Sequence, residues 1–73
     1  MNTFKDYKEL VVLSLDVLPA TENELKKRDF IKRVAVEHID RMLMDLENNN
    51  HIYTKGNKYY AYKKSSFLIN KEH

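Results

Sequence analysis

The 73-residue sequence has no cysteine, one glycine and one proline. Without cysteine there is no disulfide staple, no thiolate metal ligand and no thiol nucleophile, and the expected setting is cytoplasmic. One glycine is too few for a glycine-rich phosphate loop, and no grouping of Ser, His and Asp replaces it, so the chain reads as a non-enzyme. His38, His51 and His73 are never four apart and have no cysteine beside them, so neither a metal nor another cofactor is expected. The longest wholly apolar run is Leu10 to Leu13. The start, MNTFKDYKELVVLSL, lacks the basic leader and small-residue cleavage site of a signal peptide, so no membrane segment is expected. Neither sign of charge dominates: 13 basic residues against 11 acidic leave a formal net charge of +2. The distribution of charge must therefore decide what its total does not.

A chain this short buries only about 60% of its unfolded surface, which allows one domain, helped by a partner or a dimer. Thr3 and Asp6 form a partial capping box for a first helix, with Tyr7, Leu10, Val11, Ser14, Leu15 and Leu18 at helical spacing. Pro19 ends it, because the residue before a proline is pushed out of the α region. Thr21 and Glu24 mark a second start, and Leu25, Phe30, Ile31 and Val34 supply the apolar side of a shorter, charged helix. Val36, Ile39, Met42, Leu43 and Leu46 continue at spacings of three and four until Asn48, Asn49 and Asn50, which tolerate the left-handed conformation of a helix end. No glycine or proline marks a break near residues 33–35, so the pattern leaves open whether the second and third helices are separate.

The period then changes to alternation, with Ile52 and Thr54 before Lys55-Gly56-Asn57 and Tyr60 and Tyr62 after it, which predicts a β-hairpin. Tyr60 and Tyr62 are expected to face inward with Ile52, leaving Tyr53 and Tyr59 as the stacking candidates. The tail SSFLINKEH is apolar at Phe67, Leu68 and Ile69, and can dock on the first helix, add a strand or contact a second copy.

A run of helices feeding a hairpin resembles the winged helix-turn-helix family. IDRMLMDLENNNHIYTKGNKYYAY carries the likeness, with Leu43, Leu46, the asparagine run, Ile52, Gly56, Tyr60 and Tyr62 as its features. The resemblance covers roughly residues 10–63. It implies an α+β, mainly helical fold: three helices and a C-terminal hairpin wing over residues 1–64, with 65–73 as a docking or dimer tail. It also implies that the third helix, about residues 35–47, enters the major groove and that Thr54 to Lys58 form the wing tip.

On that basis Lys26, Lys27, Lys32, Lys55, Lys58 and Lys63 are candidates for contacts to the DNA backbone, and Arg33, His38 and Arg41 for base reading. The cluster KKRDFIKR places four of its five bases at spacings of three to five, so a helix would put them on one side. Residues 35–50, however, carry one base, Arg41, against Glu37, Asp40, Asp45 and Glu47, a balance of −3, whereas residues 51–73 carry five lysines and one acid, +4. A helix entering a groove lined by phosphates normally has the opposite charge.

Two functions therefore compete. One is a small DNA-binding protein, a transcriptional regulator or a replication or recombination accessory factor, with duplex DNA the expected form and a homodimer one arrangement, whose lysine- and asparagine-rich composition suits a phage or plasmid-like element. The other is an adaptor or inhibitor that docks a polymerase or nuclease subunit on Glu37, Asp40, Met44 and Asp45. The bland reading of the hairpin lysines is edge protection of an exposed strand.

Overall fold

The computed structural model describes residues 4–31 and 36–69. Its elements are α1 (Phe4–Val17), β1 (Ala20–Thr21), α2 (Glu22–Lys26), α3 (Val36–Asn48), β2 (Ile52–Lys55), β3 (Lys58–Ala61) and α4 (Ser66–Ile69). The chain is thus α+β and mainly helical, with one antiparallel sheet of order β1-β3-β2. No helix among the described residues is long and apolar enough to cross a membrane.

The core is contributed by every layer. Val11, Val12 and Leu15 come from α1, Ala20 from β1, Leu25 from α2, and Ile39, Met42, Leu43 and Leu46 from α3, with Ile31, Ile52 and Ala61 completing it. On α1 the buried stripe differs from the expected one. Tyr7, Val11 and Leu15 keep their places at a spacing of four, but Val12 replaces Leu10, which is 39% exposed, and Leu18 lies beyond the helix end at 63%. On α3 the buried set is the expected i, i+3, i+4, i+7 series from Ile39.

α2 is a single short turn system rather than the longer helix the apolar spacing predicted. Its start is the expected capping box: Glu24 N donates to Thr21 Oγ1 at 3.2 Å and Thr21 N donates to Glu24 Oε1 at 2.9 Å. It ends at once because i→i+3 bonds take over, Lys27 N to Glu24 O, Arg28 N to Leu25 O and Ile31 N to Arg28 O. The tightened turns bring Phe30 and Ile31 to the core, a result that α-helical periodicity imitates. α2 and α3 are therefore separate, while Val34 lies outside the described residues.

α3 ends in a Schellman motif. His51 N donates to Leu46 O at 2.9 Å and Asn50 N donates to Glu47 O at 3.1 Å, with Asn50 at φ 63 in the left-handed position. The asparagine run does what its composition implied, and it delivers the chain directly into β2.

In the hairpin, Gly56 takes the first of two loop positions with φ 65, the place and sign that a type II′ turn reserves for glycine. A two-residue loop pairs Lys55 with Lys58, and hence Thr54 with Tyr59, Tyr53 with Tyr60 and Ile52 with Ala61. Treating Lys55-Gly56-Asn57 as a three-residue loop would pair Ile52 with Tyr60. That one-residue difference exchanges the faces of β3. Tyr59 and Ala61 face the core, and Tyr60 and Tyr62 stand outside, contrary to expectation.

The tail docks. α4 packs on α1, with Phe67 and Leu68 against the core. The buried Ser65 hydroxyl lies 2.7 Å from His51 Nδ1 and accepts from Phe67 N at 3.2 Å, starting the helix beside the Phe67 ring, which lies 4.6 Å from the His51 ring. Residues 70–73 lie outside the described part.

Candidate nucleic-acid interface

The lysines singled out from the sequence are not equivalent in space. Lys26 Nζ is 2.9 Å from Glu22 and 3.5 Å from Asp40, so it ties α2 to α3. Its ammonium pKa is raised, first by the hydrogen bond to Glu22. Asp40 is held below the ordinary carboxylate value, first by a hydrogen bond with the Glu22 carboxyl and then by Lys26. Lys63 Nζ is 2.7 Å from Asp16, although its side chain is 83% exposed. Lys27, Lys55, Lys58 and Lys64 are exposed. Lys32 and Arg33 lie outside the described residues.

The cluster KKRDFIKR does not form one helical face. Lys26 ends α2, and residues 27–30 are turns. Within them Arg28 turns back on α1: Nη1 donates to Ser14 O at 3.1 Å and to the Ser14 hydroxyl, and Nη2 donates to Leu18 O at 2.6 Å. α1 has no basic residue in its own last turn, so Arg28 serves its carbonyl end. The sequence pattern did not reveal this role, because the partners are 10 and 14 residues away.

On α3, Glu37, His38, Asp40, Arg41 and Met44 are exposed, which brings both described base-reading candidates among carboxylates. Asp45 is half-buried and 2.7 Å from Lys8 on α1, so it is an interhelical tie. Glu47 accepts from Thr54 Oγ1 at 2.8 Å. Between α2 and the hairpin lies a cleft of about 520 Å³ lined by Thr21, Glu22, Asn23, Thr54, Gly56, Asn57 and Tyr59. Burial, followed by the nearby Glu22 and Glu47 carboxylates, raises the Tyr59 phenol pKa. This inner side of the hairpin is acidic and repels an anion.

The outer face of the sheet has the opposite character. Lys55 and Lys58 are directly opposed at the loop end, and Tyr53 and Tyr60 are the next opposed pair on that face. The Tyr53 and Tyr60 rings stack at 5.3 Å and 14°, and Tyr62 leans on Tyr53 at 4.6 Å and 44°. Lys63 and Lys64 follow, lining a shallow depression with Tyr53, Ala61 and Tyr62. Two like charges directly across a strand pair destabilise it, unless an anion lies between them. Compared with protein-family models, curated proteins and solved structures, the chain matches none.

Proposed function

We propose that the chain is a small DNA-binding protein of winged helix-turn-helix type that seats the phosphate backbone on the lysines of its hairpin. The element order supports the family: α3 runs through a short asparagine turn into β2 and β3, and β1 adds a third strand. The observation that carries the function is the opposed pair Lys55 and Lys58 on a face that also bears Lys64, Lys63 beside it being tied to Asp16. The Glu24 carboxylate is engaged by Thr21 N at 2.9 Å, the first cause of its lowered pKa, with Lys58 a lesser one.

The test is fluorescence-anisotropy binding to random duplex and to single-stranded DNA across a salt series. The logarithm of affinity should fall against log salt with a slope of about −3 or steeper, and Lys55→Glu with Lys58→Glu should abolish binding. Absence of binding to either form at low salt overturns the proposal.

The second reading is an adaptor that docks a basic protein surface on α3. It is favoured by Met44, 65% exposed on the same helix as the exposed Glu37 and Asp40. In that case the hairpin substitutions leave the partner bound, whereas Glu37→Lys with Met44→Ala releases it.

A further inference from the structure

We infer that the outer face of the β2–β3 hairpin is a stacking platform for single-stranded DNA, with Tyr53, Tyr60 and Tyr62 receiving bases and the flanking lysines holding phosphates. The inference rests on the DNA-binding reading above and specifies the form of DNA. Tyrosines in a sheet ordinarily serve the core, and Tyr59 does so here, but Tyr53, Tyr60 and Tyr62 are not among the side chains packed against it. Their rings contact one another in a row, Tyr53 and Tyr60 half-buried and Tyr62 39% exposed. Every base has a π face, so such a surface accepts any sequence once the bases are unstacked from a duplex.

The charges are placed to match. Lys55 and Lys58 stand at one end of the tyrosines and Lys64 at the other. From Lys58 to Tyr62 the strand advances about 13 Å at roughly 3.3 Å per residue. That length spans about four nucleotides at a stacked spacing of roughly 3.4 Å. Glu47, which accepts from Thr54, and the cleft at Glu22 lie with the inner face of the hairpin, where Ile52, Tyr59 and Ala61 meet the core. A single strand laid on the outer face avoids them, whereas a duplex gripped by α3 would not.

The purely structural role of these tyrosines is cross-strand stabilisation of the hairpin. It predicts a loss of stability on substitution and no selectivity for DNA form. The experiment compares a labelled oligothymidylate of about fifteen nucleotides, long enough for one binding site, with a duplex of the same length at one salt concentration. The unsubstituted chain is tested beside Tyr60→Leu with Tyr62→Leu and beside Tyr60→Phe with Tyr62→Phe. The single strand should bind at least about tenfold more tightly than the duplex, the leucine variant should lose about tenfold or more of that affinity, and the phenylalanine variant should keep it.

The chain has no tryptophan, so its emission comes from five tyrosines, and stacking should quench it on addition of the oligothymidylate. If the leucine variant fails to fold, the presence or absence of that quench decides. Equal or tighter duplex binding that still depends on Lys55 and Lys58, with no effect of leucine, overturns the platform and leaves the DNA reading standing. No binding of either form overturns both. An oligouridylate bound more than about tenfold more tightly than oligothymidylate reassigns the face to RNA and overturns the DNA assignment.

Discussion

Arg28 shows how much one side chain can hold in a small protein. Its guanidinium reaches the carbonyls of Ser14 and Leu18, closing the end of α1 while fixing the turns that follow α2. Hydrogen bonds from a charged donor contribute about 1.5–3 kcal/mol when partly shielded from water. Arg28→Ala should therefore cost about 2 kcal/mol, read as a lower urea midpoint with an unchanged slope. Arg28→Lys should recover little, because an ammonium cannot fork between two carbonyls as a planar guanidinium does. A shift below about 0.5 kcal/mol in Arg28→Ala would show that the turns hold themselves.

At the scale of elements, the two helix-boundary signals that were local in sequence were legible: the Thr21–Glu24 capping box and the Asn50 helix end both stand where their residue types placed them. Long-range choices were not. α2 stops at Lys26 because the i→i+3 turns, Arg28 and the core together favour a tight bend, and nothing in the apolar spacing distinguishes Phe30 and Ile31 in turns from the same residues in a helix. The hairpin was legible as an element, yet its faces depended on whether the loop has two residues or three, and both lengths fit the alternation.

The capping box also sets a pH response. Glu24 is held below its ordinary carboxylate value, first by the hydrogen bond from Thr21 N. A carboxyl depressed in the folded chain stabilises it above the unfolded value, and that contribution disappears as pH falls through the folded value. Asp40 acts in the same direction. The thermal midpoint should thus decline on acidification through about pH 4 and below, and Glu24→Gln should make the decline shallower. A steeper decline in Glu24→Gln would contradict the assignment.

Across the whole molecule, a net charge of +2 conceals a division into an acidic side and a basic side. α3 carries Glu37, Asp40, Asp45 and Glu47 against Arg41, a balance of −3, while the exposed Lys55, Lys58 and Lys64 accompany the outer tyrosines. The opposing totals were readable from the sequence, but the division of the hairpin into a basic outer face and an acidic inner cleft was not. It depends on strand register and on Lys26 and Asp45 being drawn into ion pairs. Screening over about 10 Å at 0.1 M salt makes the two sides electrostatically independent unless DNA touches both. Lys58→Glu places a carboxylate opposite Lys55 at the platform and should weaken single-strand binding by about tenfold. Glu37→Lys changes the α3 balance from −3 to −1 and should alter affinity by less than about threefold. Anisotropy titrations of both variants at that salt make the comparison. If Glu37→Lys strengthens binding as much as Lys58→Glu weakens it, the phosphates pass along α3 and the strand does not lie on the tyrosines alone.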